Sequence, residues 1–294
     1  MYRKLLSIIL FTFFIVFNVR SAEFYLGDLQ QNTENQDFRI KTIVIDAGHG
    51  AHDIGARGRT SVEKDIALQI ALKLGRSIQS ELKDVKVIYT RTSDVFIPLY
   101  ERIGLANEKK ADLFISIHCN SMPSIKKRIV TGYRRRNGKR VPIYKTVSTP
   151  NTTTRGTETF VSGSGRLAEQ DAAIRENASM LLEENYQENY DGFDPKDPES
   201  YIIFSLMKNA YRDQSIKLAS FIEGEYVKSG RGSRGVKELS LAVLARAGMP
   251  AVLTEVGFIS NPDEERYLNS AQGQSEIVAN LLNAIKSYKR QAEN

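Results

Sequence analysis

Cysteine is almost absent from this sequence: Cys119 stands alone among 294 residues, so no disulfide can form within the chain. A single thiol suits a protein exported into an oxidising compartment, where spare cysteines mispair. Stability then comes from packing or from a metal. Packing has room to work, because a single domain of this length buries roughly 75% of the surface its unfolded chain exposes. Histidine is scarce as well, limited to His49, His52 and His118. The amino-terminal apolar run, Leu5–Phe17, is shorter than the ~20 residues a membrane-spanning helix needs. No internal repeat is visible, which excludes solenoids and propellers.

Residues 1–22 have the layout of a secretory signal peptide: Arg3 and Lys4, then the apolar run, then small residues around Ser21-Ala22. No cysteine follows for lipid attachment. Removing this segment takes away three basic residues and no acid, lowering the formal charge from +6 to about +3, so the overall balance does not point to nucleic acid. Residues 23–40 are polar and aperiodic and read as a leader. The expected organisation is a signal peptide, this leader, and one catalytic domain over 41–290. An exported protein of the periplasm or cell envelope follows, with no stable membrane span after cleavage.

Beyond the leader, strand and helix patterns alternate. Lys41–Ala47 is a buried strand running into the glycine-rich loop 48–60. A helix follows from near Ser61 to about Leu82, its apolar face built by Ile66, Ile70, Leu74 and Ile78. Strands are expected at Val85–Thr90, Asp112–His118, Gly156–Val161, Gly235–Leu239 and Met249–Val256. Helices are expected at Pro98–Lys109, at Glu199–Val227 with Ile203, Leu206, Met207, Ala210, Leu218, Phe221 and Ile222 inward, and from Gln272 onward. Asn261-Pro262 starts a further helix, with asparagine as cap and proline at the first position. The predicted fold is α/β: one domain, a twisted mixed sheet of about six strands flanked by helices.

Two insertions carry opposite charge. Between Met122 and Thr157 there is no acid and there are ten lysines and arginines, giving a solvated basic hairpin, a disordered insertion, or a surface for an anionic envelope polymer or lipid. Residues 166–199 hold ten acids against three basic residues. Their first half has helical composition to about Tyr190, and Asp191–Pro198 breaks it. This segment reads as an exposed acidic helical arm, paired or not with the basic insertion.

His49 and His118 both fall at strand carboxyl ends, where open α/β sheets collect ligands. With Glu63 and Glu255 they form a set of two imidazoles and two carboxylates. Three of these suit a catalytic zinc site that leaves a fourth position for water, and the remaining one suits a base. Spacing alone does not decide this, and Glu63 also fits a capping box with Thr60. Asp46 and Asn120 are candidates to orient the imidazoles. His52 reads as a loop residue.

Ile45-Asp-Ala-Gly-His-Gly-Ala-His-Asp-Ile-Gly-Ala56, Val62-Glu-Lys-Asp65, Ser116-Ile-His-Cys-Asn120 and Thr254-Glu-Val-Gly-Phe-Ile-Ser-Asn-Pro262, in this order, resemble the zinc-dependent N-acetylmuramoyl-L-alanine amidases. The resemblance spans about Lys41 to Tyr288. It implies Zn2+ held by His49, Glu63 and His118, with Glu255 as the catalytic carboxylate. It implies peptidoglycan as substrate, cleaved between N-acetylmuramic acid and L-alanine during wall remodelling and daughter-cell separation. Cell-separating relatives carry a helical insertion over the zinc until an activator protein displaces it. The segment 166–199 corresponds, with Glu176, Glu183 or Glu184 as the blocking carboxylate. A zinc peptidase or deacetylase, and a catalytically silent peptidoglycan-binding or divisome adaptor protein, are the alternatives.

Overall fold

The computed structural model describes residues 39–149, 151–163, 170–205 and 210–294, so the signal peptide and nearly all of the leader lie outside the described residues. In chain order the elements are β1 (Thr42–Ala47), α1 (Glu63–Glu81), β2 (Lys86–Tyr89), α2 (Leu99–Glu108), β3 (Leu113–Asn120), β4 (Ile125–Arg136), β5 (Lys139–Thr149) and β6 (Thr157–Ser162). The acidic segment gives α3 (Asp171–Asn177), a 3-10 turn (Ala178–Leu182), α4 (Tyr186–Asn189) and α5 (Pro198–Ser205). Then come α6 (Arg212–Lys228), β7 (Ser233–Leu239), α7 (Ala242–Ala245), β8 (Ala251–Phe258), α8 (Pro262–Asn269) and α9 (Ala271–Ala292).

Six strands form one sheet in the order β2-β1-β3-β8-β6-β7. The pairs β2/β1, β1/β3, β3/β8 and β6/β7 are parallel and β6/β8 is antiparallel, which makes the sheet mixed as expected. Alternate residues of each strand point to opposite faces, so each strand serves two cores. Ile43, Ile45, Ile115 and Val252 pack with α1, α6 and α9 on one face. Val44, Phe114, Phe160 and Leu253 pack on the other face with α2, α7 and the acidic segment's Met180, Tyr190, Phe193 and Tyr201. Both cores lie within 40–288. The parallel strands β1, β3 and β8 end on the same edge, which places His49, His118 and Glu255 together.

Several expectations change. The helix expected over Glu199–Val227 is two helices, α5 and α6, of which Leu206 and Met207 lie outside the described residues; Leu218 and Ile222 are buried, but Ala210 is exposed. The acidic segment is broken into short pieces, and Asn185 at φ 56° turns the chain between the 3-10 turn and α4. The basic insertion is a hairpin, β4 with β5, turned by Asn137 (φ 48°) and Gly138 (φ 76°), the pattern of a type I′ turn. Among the described residues it makes no ion pair with the acidic segment. The Asn261 cap is as expected: its side chain accepts from the Asp263 and Glu264 amides, with Pro262 at the first helical position.

Candidate active site

The loop leaving β1 is held by two buried arginines. Arg91 donates to the Ala47 and Gly48 carbonyls at 2.9 and 2.7 Å, and Arg102 donates to the Ala47 and His49 carbonyls at 2.8 and 2.9 Å. Arg102 also pairs with Asp46 Oδ1 at 2.9 Å, and Asp46 accepts from Ser116 and Thr90 hydroxyls, both at 2.6 Å. This clamp keeps three successive carbonyls facing inward and fixes His49 at φ 59°, a left-handed conformation that a non-glycine residue adopts only under constraint. Asp46 therefore orients an arginine rather than an imidazole: its carboxylate is taken up by Arg102, Ser116 and Thr90.

The group that orients His49 is Asp53, whose Oδ2 accepts from Nδ1 at 2.9 Å. That contact keeps the proton on Nδ1 and turns the Nε2 lone pair into the site, as metal-bound histidines require. Nε2 is buried with no hydrogen-bond partner. It lies 3.2 Å from Glu63 Oε2 and 3.3 Å from Glu176 Oε2. His118 Nδ1 lies 3.0 Å from Glu63 Oε1 and 2.9 Å from Glu176 Oε2. Gly48 gives the second ring its space: a Cβ there would stand 2.5 Å from His118 Cε1 and Nε2. His52 is exposed, stacked on Phe96, and takes no part, as its loop reading predicted.

Glu63 is the first residue of α1, but it does not cap that helix. The cap position is Val62, and Thr60 and Ser61 donate instead to Glu265 Oε1. Freed from capping, the Glu63 carboxylate accepts from the Ala56 amide at 2.7 Å and the Cys119 amide at 2.8 Å, which aims it between the two rings. Burial opposes its ionisation, yet the neighbouring His49 and the hydrogen bond with His118 pull its pKa down to about 2. His118 is likewise discouraged from charging by burial, but Glu176 and Glu63 raise it to about 10. Both shifts say that the pocket attracts positive charge.

His49, Glu63, His118 and Glu176 offer four donor atoms within 4.8 Å of one another. Two imidazole nitrogens and two carboxylates drawn together this closely are a donor set that fits a divalent metal. His49 comes from the loop after β1, Glu63 from the start of α1 and His118 from β3, while Glu176 comes from α3 of the acidic insertion.

Glu255 sits on β8 directly opposite His118. It is fully buried; its Oε1 meets Arg175 Nη2 at 3.2 Å and its Oε2 has no partner. Burial first, then the charge of Glu176, raises its pKa well above the ordinary carboxylate range. Arg175 also donates to the Ser121 carbonyl and to Glu176 Oε1, so one guanidinium joins the insertion to the site at two points and braces Glu176. Of the three blocking candidates, Glu176 alone reaches the cluster. Glu183 is buried elsewhere, accepting from the Leu99 amide and the Tyr190 hydroxyl, and Glu184 is exposed.

A family model described as N-acetylmuramoyl-L-alanine amidase matches residues 43–287. The chain belongs to the N-acetylmuramoyl-L-alanine amidase family. The amidase AmiC of Escherichia coli O6:H1 is 31% identical over 251 residues, covering 84% of this chain and 52% of that one. The chain thus spans about half the length of that relative. The amidase of Clostridium difficile 630 superposes with a TM-score of 0.57 at 26% identity, over 85% of this chain and 97% of that one. The catalytic domain of CwlV from Bacillus (Paenibacillus) polymyxa gives 0.53 at 26%, over 84% and 97%.

In this member of the family the sequence pattern missed Asp53, Arg91, Arg102, Arg175 and Glu158. Asn120 does not touch an imidazole; its amide donates to Glu158 Oε2 at 2.8 Å, and Arg234 and Lys237 hold the other oxygen of Glu158 at 2.5 and 2.7 Å. Glu158 faces Glu255 across the β6/β8 pair.

Proposed function

We propose that this chain is a metal-dependent peptidoglycan hydrolase that cleaves the amide between the lactyl group of N-acetylmuramic acid and L-alanine. Zn2+ is the ion the donor set favours, held by His49, Glu63 and His118. The convergence of those donors beside the unpartnered Glu255 Oε2 is the observation that carries the reading. The chemistry such an ion supplies is Lewis-acid polarisation of the amide carbonyl and a lowered pKa for water. Asp53 holds the His49 proton on Nδ1. Glu255 takes the proton of the attacking water and hands it to the leaving nitrogen, its Oε2 being free of any other partner. The amide C–N bond breaks, leaving a lactyl carboxylate and a free L-alanine amine.

The contacts of Glu176 with both imidazoles and of Arg175 with Glu255 support a restraint in which the insertion covers the fourth donor position and the base. An activator protein that draws α3 away frees both groups at once. Export to the periplasm or envelope accords with the amino-terminal sequence, and no helix among the described residues is long and apolar enough to cross a membrane. Separation of daughter cells is the process in which such a restrained hydrolase is useful. Glu255→Gln tests the assignment. The variant keeps its metal and loses peptide release by two or more orders of magnitude. Undiminished release with intact metal content removes Glu255 from the mechanism.

A further inference from the structure

The basic hairpin has no part in the site chemistry, yet it is built in an unusual way. Among the described residues β4 and β5 pair only with each other, and none of their cations makes an ion pair. Five of the seven residues Arg134–Arg140 are cationic, so the tip is the most charged part of the ribbon. Behind the tip lies an apolar belt: Ile129, Val130, Tyr133, Ile143 and Tyr144 are each 44–53% exposed. These side chains are divided between the two faces, because Ile129 and Ile143 alternate with Val130, Tyr133 and Tyr144 through the register and its bulge at Val130/Gly132. Arg128 and Arg140 stack on Tyr144 and Tyr133 at 4.4 and 4.0 Å.

We infer that this hairpin is an arm that docks the protein on an anionic lipid bilayer surface. Charge complementarity selects an anionic partner and excludes a second copy of the hairpin, which would bring like charges together. The belt then selects lipid. A charged polymer is bound by cations alone and gives no use to exposed isoleucine and valine. A protein surface covers one face of a ribbon, whereas the apolar side chains here occupy both. In the headgroup layer both faces meet the same medium: tyrosines and aliphatic tips reach toward the acyl boundary, and arginines extend their heads to lipid phosphates. The unpaired outer edges of the ribbon keep it in that hydrated layer and out of the hydrocarbon.

The arm is rooted at the mouth of the site. The Met122 amide donates to Ser260 Oγ and the Asn261 amide group donates to the Thr154 carbonyl, fixing both ends of the insertion to the loop after β8. Eleven residues of strand reach about 37 Å. Docking therefore holds the crevice within that distance of the bilayer, facing material next to the membrane.

The test uses residues 23–294, which contain both cores and omit the amino-terminal apolar run that would itself enter bilayers. Its readout is sedimentation with phosphatidylcholine vesicles, with and without phosphatidylglycerol, and involves no turnover, so it stands or falls separately from the amidase reading. The chain binds the anionic vesicles and not the neutral ones. Arg134→Ser/Arg135→Ser/Arg136→Ser weakens that binding on the order of a hundredfold, each surface cation being worth roughly fivefold. Unchanged circular dichroism and metal content verify that this exposed triple variant is folded. The sequence has no tryptophan, so Tyr133→Trp is a lone reporter whose emission shifts to the blue on anionic vesicles. Absence of vesicle binding, binding that survives the triple substitution, or binding without the blue shift overturns the proposal. Hairpin-dependent sedimentation with purified sacculi and not with vesicles reassigns the arm to a wall polymer.

Discussion

On the proposed reading, replacing Glu176 by glutamine raises peptide release, and the size of the effect follows from what Glu176 touches. Its Oε2 lies 2.9 Å from His118 and 3.3 Å from His49, and its Oε1 accepts from Arg175 at 2.9 Å. The rest of the insertion keeps its own anchors: Ala173, Met180, Tyr190, Phe193 and Tyr201 remain buried, and Asn177 still joins Ser240 to Ala242. The substitution therefore removes one buried negative charge and leaves the apolar docking intact. A hydrogen-bonded charge of this kind contributes about 2 kcal/mol. Weakening the closed state by that amount raises a minor open population about thirtyfold. Release of peptide from purified peptidoglycan by residues 23–294 measures this, with metal content determined in parallel. Glu184→Gln, at an exposed position of the same insertion, leaves the rate unchanged. A Glu176→Gln rate equal to or below the parent's, at equal metal content, refutes self-inhibition.

Arg102→Ala destabilises the fold by roughly 3–5 kcal/mol, because it leaves the buried Asp46 carboxylate without its counter-charge and takes the donor from the Ile97 and His49 carbonyls; a lowered urea midpoint checks this. Asp46 makes the fold sensitive to acid. Burial opposes its charge, but Arg102, Ser116 and Thr90 hold its folded pKa below the ordinary value. Its contribution is therefore complete above about pH 5 and fades as the pH falls through ~3.9 toward the folded pKa. Asp46→Asn should cost stability at neutral pH and converge with the parent only at acid pH, below the folded pKa, and convergence at neutral pH instead would contradict the sign. Gly48→Ala drives a methyl group into the His118 ring and lowers metal occupancy while the sheet persists; calorimetric zinc titration reads the loss.

Much of the fold was legible because period and burial agree: β1, β3 and β8 are short apolar runs, and α1 repeats Ile66, Ile70, Leu74 and Ile78 on one face. The site histidines were legible because strand ends are where α/β sheets bind ligands. The choice between Asp46 and Asp53 as partner of His49 was not, since it depends on the left-handed turn at His49 and Ala51 that brings Asp53 back toward Nδ1. Glu63 offered the reverse case: a convincing local cap was overridden when Glu265, 205 residues from Thr60, took the hydroxyls and amides of the loop. The insertion's composition showed acidity and helicity, but which carboxylate entered the site was set by Arg175, whose contacts span 54 and 80 residues. No local pattern encodes such contacts.

The most direct test of the account is mass analysis of what Glu176→Gln residues 23–294 release from purified peptidoglycan, with zinc and with a chelator. The account predicts free stem peptides beginning with L-alanine, intact glycan strands, and loss of both signals on chelation. Peptides cut within the stem, deacetylated glycan, or release that persists without metal contradicts it.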